Sequence, residues 1–497
     1  MQDVGESWLM LLLTKSPLFV ALVETGGSLP ILLLALPMGA LADVVDRRRL
    51  LLISQTWMLV CAGAMGVLTL AGLVTPWLLL LLTFLLGVGE ALNAPAWQAI
   101  IPELVPRREL PSAVTLIGVA INVSRALGPA LGGLLVAATG SGVVFLLNAA
   151  SFLAVMIVIY RWRPALKELT APAEGIFGAM RAGLRYVRHA PELRATYVRT
   201  GGFILCASAL WALLAVQARL ALGLGSLGYG ILLGCLGMGA IGGAVVLPQL
   251  RRRVSNNRLV VSASIVFAGV MLVLAHVKLP LVAGATLVIG GMAWIAAMSS
   301  FNTAAQTAAP AWVRARALSF YMLVFMGGMA VGSAAWGAVA ARLGVTAALT
   351  YAAFGMFIST TANLRYKLLD GDGPSLAPWM HWPEPVVVDE PGGEEGPVLV
   401  EIEYRIDPRR AAAFREAASA LRRLRRRDGA SRWTLFHDPA EPGRFIESFL
   451  VESWAEHLRQ HRRATEADRE IEDRVNAFQV GKKPPRGTHL IADRVDR

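Results

Sequence analysis

Apolar residues fall in long blocks separated by short polar gaps from the start of the chain to about residue 366, and no such block follows. Each block runs roughly 18 to 25 residues, the length that crosses about 30 Å of hydrocarbon at 1.5 Å of helical rise per residue. The pattern predicts spans near 1–13, 19–42, 50–73, 77–100, 112–138 and 143–160, then 198–218, 229–250, 259–277, 281–301, 318–341 and 345–364. The first is short, its apolar part running only from Trp8 to Leu13. The chain is therefore expected to start inside a helix whose first half precedes Met1.

Positive charge alternates along the gaps. One set of connections holds Arg47–Arg49, Arg107 and Arg108, then Arg161, Arg163, Lys167, Arg181, Arg185, Arg188 and Arg194, then Arg251–Arg253 and Arg258, then Arg314 and Arg316. The other set holds at most one basic residue each, namely Lys15, Arg219, Lys278 and Arg342. Basic loops stay inside, so the first set is expected in the cytoplasm, and the polar C-terminal region with it.

The net charge of +12 follows this alternation, so it sets topology and argues against nucleic acid as a partner. A composition of 55% hydrophobic and 16% charged residues excludes a soluble enzyme of this length. Cys61, Cys206 and Cys235 each sit inside an apolar block without paired spacing, and read as small buried hydrophobes. No stretch reads as a cleavable signal peptide.

The two sets of six spans repeat in parallel. Gln98, Pro102 and Val105 recur as Gln306, Pro310 and Val313; Arg47–Arg49 recur as Arg251–Arg253; Gly128 and Gly133 recur as Gly332 and Gly337. Three landmarks in one order point to a six-plus-six duplication.

After the second span the chain reads Gly39-Ala-Leu-Ala-Asp43-Val-Val-Asp46-Arg47-Arg48-Arg49. This resembles the signature loop of the major facilitator superfamily, with Val44 in place of a basic residue and Asp46 in place of glycine. The resemblance implies a cytoplasmic conformational latch built on Gly39, Asp43, Asp46, Arg47 and Arg48; the plain alternative is a solvated basic turn that only sets topology. The fifth span carries Arg125-Ala-Leu-Gly128-Pro129-Ala-Leu-Gly132-Gly133, similar to the Gly-Pro-x-x-Gly-Gly motif of proton-coupled exporters in that superfamily. Its glycines permit close helix approach and Pro129 removes a backbone donor, which suits either a rocking helix or plain packing.

Ionisable residues inside apolar blocks cost several kcal/mol unless paired or wet. They are Asp3, Glu6, Glu24, Glu90 and Arg125. Glu90 and Arg125 lie at depths that agree to within roughly 5 Å, which predicts an ion pair with Glu90 as a proton carrier, or else two independent groups lining a wet cavity. Glu6, Glu24, Asn93 and Asn122 complete the candidate proton or substrate path. Helix-to-helix hydrogen bonds explain Asn93, Asn122 and Asn148 equally well.

Between the halves, residues 175–199 carry Ile176, Phe177, Met180, Leu184 and Val187 with arginines interleaved, the spacing of an amphipathic helix on the membrane surface. Residues 370–397 read as a flexible linker. Beyond it the pattern predicts a strand at 398–405, a helix at 408–426, strands at 431–437 and 444–451, helical stretches within 454–478 and a strand near 489–492. That order suggests a ferredoxin-like α+β module, similar to the antibiotic-biosynthesis monooxygenase type, whose members commonly pair through their sheets. His457 and His461 lie four apart on a helix, but without a nearby glutamate motif and beside Arg459, Arg462 and Arg463 they read as a solvated face, and no metal or cofactor is expected.

Nearly the whole chain, through motifs such as Asn93-Ala-Pro-Ala-Trp97-Gln98 and Trp312-Val-Arg314-Ala-Arg316, resembles the transmembrane secretion effector branch of the superfamily, which also holds the enterobactin exporter. The resemblance implies an all-α membrane protein of two six-helix bundles, the first helix truncated, plus the α+β module. Expected divisions are an N-terminal bundle at 1–160, a cytoplasmic linker at 161–197, a second bundle at 198–366, a flexible linker at 367–397 and a cytoplasmic domain at 398–497. It further implies proton-coupled export of a small molecule by alternating access in the cytoplasmic membrane of a bacterium. Expected partners are membrane lipid, the substrate, protons and a second copy through the C-terminal domain. The competing class is a membrane-anchored enzyme or ligand sensor acting through that domain. No Walker motif is present, which argues against direct ATP hydrolysis.

Overall fold

The computed structural model describes residues 1–105, 108–162, 176–310, 312–368, 375–377, 379, 391–481 and 484–493, with some helix positions described by backbone alone. The first half consists of α1 (Gln2–Leu13), α2 (Pro17–Val44), α3 (Arg47–Leu70), α4 (Pro76–Leu104), α5 (Leu110–Thr139) and α6 (Ser141–Arg161). A short α7 (Ile176–His189) precedes the second half, which comprises α8 (Pro191–Leu220), α9 (Ser226–Arg251), α10 (Asn256–His276), α11 (Pro280–Thr307), α12 (Arg314–Leu343) and α13 (Val345–Ala362). Ten of the described helices are long and apolar enough to cross a membrane. All twelve expected spans are helices. The seventh begins at Pro191, about two turns earlier than hydropathy placed it, because its first turns are polar and extend the helix beyond the apolar block.

Helix boundaries follow local chemistry. Asp46 caps α3 by accepting from the Arg49 N–H at 2.8 Å, Thr75 caps α4 just ahead of Pro76, and Ser255 caps α10. Gly140 and Gly344 take φ of +83° and +87° at the breaks α5–α6 and α12–α13, a left-handed turn that favours glycine. These breaks extend the internal repeat: Leu110 to Arg314, Gly133 to Gly337, Thr139 to Leu343 and Gly140 to Gly344 are each displaced by 204 positions.

Within each half the packing is dense. In the first, Met58, Cys61, Ala62, Leu86 and Ala149 join α3, α4 and α6 in one buried cluster. In the second, Phe203, Phe267, Trp294 and Phe301 form a tilted and edge-to-face aromatic group with centroids 5.6 to 6.0 Å apart. Helix surfaces elsewhere expose large apolar side chains such as Leu81, Val158, Val245 and Ile358, as a lipid-facing surface requires.

The chain forms two compact units. One contains residues 1–171, 196–303 and 319–368; the other gathers 172–195, 304–318 and 369–497. In the second, β1 (Val398–Arg405), α14 (Ala411–Asp428), β2 (Ser431–His437), β3 (Arg444–Val451), α15 (Trp454–Arg463), α16 (Glu466–Asn476) and β4 (Arg486–Ile491) build one antiparallel sheet of order β2-β3-β1-β4. This is the ferredoxin-like order. Val398, Val400 and Tyr404 of β1 alternate to one face; Tyr404 and Phe445 of β3 pack under Phe414, Leu421 and Leu424 of α14, while Val398, Val400, Phe449 and Val451 pack with Trp454 of α15. The expected linker, 367–397, lies largely outside the described residues.

Candidate functional site

The exporter-type motif stands on the seam between the two halves. A Cβ added at Gly133 would lie 2.6 Å from the carbonyl oxygen of Ser226 and 2.9 Å from Gly230 Cα; one added at Gly230 would lie 2.6 Å from the carbonyl oxygen of Pro129. Helices α5 and α9 therefore touch backbone to backbone, which only glycine permits. Gly128 is different, since a Cβ there meets nothing nearer than the Met1 nitrogen at 3.9 Å. Gly132 packs against Met1, with a Cβ 2.9 Å from its Cα.

The duplication creates a matching seam on the other side. Gly337 of α12, the equivalent of Gly133, faces Ala21 and Leu18 of α2. Along the same pair the Thr25 hydroxyl donates to the Ala330 carbonyl at 3.0 Å, and Gly327 abuts Leu32. Trp8 of α1 stacks on Tyr229 of α9 at 6.4 Å, and Arg219 of α8 lies over Trp8 while donating to the Leu11 carbonyl at 2.9 Å. Apart from the near-central Gly327–Leu32 contact, these contacts lie in the halves of the helices farther from the arginine-bearing loops.

An acidic group occupies α1, α2 and α4. Asp3, Glu6, Glu24 and Glu90 are close enough for their charges to interact. Glu6 is buried, and its carboxylate accepts from Gln2 Nε2 at 2.7 Å and from the Thr83 hydroxyl at 3.1 Å. Gln2 in turn accepts from Asn148 Nδ2 at 3.1 Å, tying α6 to the same network. Glu90 is exposed. The side chains of Arg125 and Asn122 lie outside the described residues, so the expected Glu90–Arg125 pair does too. Asn93 accepts from Ser54 and Gln55 at 3.3 and 3.1 Å, which makes it a hydrogen-bonded link between α3 and α4. Gln2 and Thr83 escaped the sequence reading because uncharged polar residues carry no signal within an apolar block.

Of the signature loop, Gly39 and Asp43 fall outside the described side chains. Asp46 is the α3 cap, a role that glycine in the usual pattern cannot fill by side chain. Arg48 donates to the Ile159 carbonyl at 3.2 Å and to the Tyr160 carbonyl, and its guanidinium lies 5.6 Å over the Tyr160 ring. It closes the C-terminus of α6 within the first half. Arg47 is engaged as well.

In the second unit, Glu456 receives three arginines: Arg185 of α7 at 2.7 Å, Arg463 at 2.7 Å and Arg459 at 2.8 Å. Tyr186 of α7 lies edge-on to Trp312 at 5.4 Å, with Arg427 over Tyr186 and Arg463 over Trp312 at 5.2 and 4.5 Å. The amphipathic helix and the 304–318 segment are thus bound to the sheet domain. Deeper inside, Glu447 accepts from the Tyr404 hydroxyl, Arg425 Nε and Trp433 Nε1 at 3.0, 3.2 and 2.8 Å, and Arg425 also reaches Glu472 at 2.6 Å. His457 and His461 are not a solvated face. His457 is fully buried, and β4 brings His489 beside them, a third imidazole that the sequence reading missed because it is 28 residues away on another element. Burial pushes His457 down to about 3 and His461 down to about 4, and lowers His489 also.

The profile of the transmembrane secretion effector family matches residues 1–496. An uncharacterised transporter of the major facilitator type, YfiS of Bacillus subtilis, is 30% identical over 185 residues, 36% of this chain and 43% of that protein. The multidrug efflux pump Tap of Mycolicibacterium fortuitum is 27% identical over 328 residues, 63% of this chain and 78% of the pump. The enterobactin exporter EntS of Salmonella typhi is 26% identical over 327 residues, 64% of this chain and 77% of the exporter. Among solved structures, the nucleoside transporter NupG aligns with a TM-score of 0.61 at 10% identity over 73% of this chain and 94% of that one, a likeness of fold alone.

Proposed function

Because this chain belongs to the transmembrane secretion effector family of major facilitator transporters, we propose that it exports a small organic molecule against a proton gradient by alternating access. The observation that carries the reading is the acidic group Asp3, Glu6, Glu24 and Glu90 set in the membrane-spanning half beside two glycine seams. Carboxylates inside an apolar bundle are expensive unless they exchange protons or meet polar cargo. Glu90, the exposed glutamate of the group, is the proton-accepting member; Glu6, held by Gln2 and Thr83, sets the field around it. The basic connections support a reading in which they and the sheet domain face the cytoplasm. The seams at α5–α9 and α2–α12 then close the outer side, and the cavity opens inward.

Multidrug-pump substrates and siderophores are the cargo classes to try, since relatives are a multidrug pump and an enterobactin exporter. On this reading α7, residues 304–318 and the sheet domain make up one cytoplasmic body. The uncovered sheet face, carrying Leu399, Phe436, Ile446, Leu450 and Leu490, is where a second copy pairs.

The test is a proteoliposome assay with an imposed pH gradient and a panel of such compounds. The expected result is gradient-driven movement of at least one compound that Glu90→Gln uncouples from the gradient. Movement that is equal with and without the gradient, in wild type and variant alike, refutes proton coupling.

A further inference from the structure

We propose that His457, His461 and His489 of the C-terminal domain bind a divalent transition ion of the zinc class, leaving a fourth position open to water. His457 and His461 stand one turn apart on α15, and their Nε2 atoms are 3.2 Å apart. Two nitrogens about 2.0–2.1 Å from one tetrahedral zinc are themselves about 3.3 Å apart, so this pair already has the spacing of co-ligands. His489 arrives from β4; one ligand atom from each ring lies within 4.8 Å of the others, and the His457 and His489 ring centroids are 4.7 Å apart. A shift of the third ring by roughly 1.5 Å completes the set.

The surroundings favour an ion. His457 Nδ1 and Trp454 Nε1 are buried without a well-formed hydrogen bond among the described residues, and the neighbouring Gln460 amide is in the same condition. An ion on Nε2 fixes the proton on Nδ1, which the Gln460 oxygen is placed to accept.

Two of the three arginines that argued against a cation, Arg459 and Arg463, are spent elsewhere. Arg459 and Arg463 pair with Glu456, and Arg425 is held between Glu447 and Glu472, a trio that sums to one negative charge. Three imidazoles with no thiolate select zinc-class ions over calcium or magnesium, which require oxygen.

The experiment uses the full chain in detergent, purified with a histidine-free tag, stripped with chelator and titrated with Co2+ and Zn2+. The expected result is one equivalent bound, with the intense visible absorption of a four-coordinate Co2+ that Zn2+ displaces. His461→Ala and His489→Asn each weaken binding by more than about 100-fold, beyond the ~10–100-fold typical of losing a supporting partner. His276→Ala and His437→Ala bind as wild type. His489→Asn lies on an edge strand and keeps a polar side chain, so it reports on ligation if loss of buried His457 unfolds the domain. Failure of the wild-type protein to retain one equivalent, or undiminished binding in His489→Asn, overturns the site.

Discussion

Replacing Gly133 by alanine is the most direct probe of the seam. The new Cβ would stand 2.6 Å from the Ser226 oxygen, whereas ordinary contact begins near 3.4 Å, so α5 and α9 must separate by about 0.8 Å. The opposing atoms are backbone, and no rotamer change relieves them. Overpacking of this kind costs about 1–3 kcal/mol, which depopulates the seam-closed conformation by roughly 5- to 150-fold relative to any state in which the seam is parted. Spin labels at the exposed Leu134 and Leu227, in a background with the three cysteines replaced, report the α5–α9 separation in the membrane. The expected outcome is a longer, broader distance distribution and slower transport. Gly230→Ala should act alike, and the double variant should cost less than the sum because the two share one contact. Gly128→Ala, whose Cβ meets only an atom 3.9 Å away, should leave both readouts unchanged. If Gly133→Ala and Gly128→Ala give the same distance distribution as wild type, the seam does not govern the conformational balance.

Other outcomes follow from the same coordinates. Glu447→Ala leaves Arg425, Tyr404 and Trp433 without their shared acceptor; removing one partner of a buried pair costs about 3–5 kcal/mol, read as faster amide exchange in β1 and β3. Glu456→Ala unties Arg185 of α7, so trypsin should cut at Arg185 and Arg188 sooner while cleavage within β3 stays unchanged. In chelator, the buried histidines make the sheet domain acid-labile: below their ordinary value of 6.5 the unfolded chain takes protons that the folded domain refuses until about 4 for His461 and about 3 for His457. Stability therefore falls with pH over that window by about 1.4 kcal/mol per unit for each group, and replacing both by glutamine should flatten the pH dependence of the thermal midpoint.

The order of elements was legible because hydrocarbon thickness and the alternation of a half-covered sheet both leave a period in the sequence. The strands at 398–405, 431–437 and 444–451 coincide with β1, β2 and β3, since each is bounded by turn residues and alternates its covered positions, buried on one face in β1 and β3 and only half-buried at Trp433 and Leu435 in β2. The site was legible only where charge announced it. Glu6, Glu24 and Glu90 stand out in an apolar background, but nothing in one dimension says that Gln2, Thr83 and Asn148 complete their surroundings, or that His489 joins His457. Those groupings depend on which helix faces meet, and that is set by packing between blocks that look alike in hydropathy.

The duplication explains why the exporter motif has its position. Two equivalent helices, α5 and α12, each lend a glycine at the same place in the repeat, and each uses it against the opposite half: Gly133 against Gly230 of α9, Gly337 against Ala21 of α2. On the proposed alternating-access reading, a seam built twice by one sequence device requires both sides to part together for the end far from the arginine-bearing loops to open. Pro129 has no counterpart in α12, where Ser333 occupies the repeat position and no proline interrupts the helix. Of the repeat-related pair α5 and α12, α5 is thus the softer helix, because a proline removes one rung of the backbone ladder. Converting Pro129 to alanine restores that rung and stiffens only the α5 side. It should slow opening of the outer end, seen as a lower transport rate with an unchanged ground-state α5–α9 distance. A variant that transports at the wild-type rate places the pivot elsewhere.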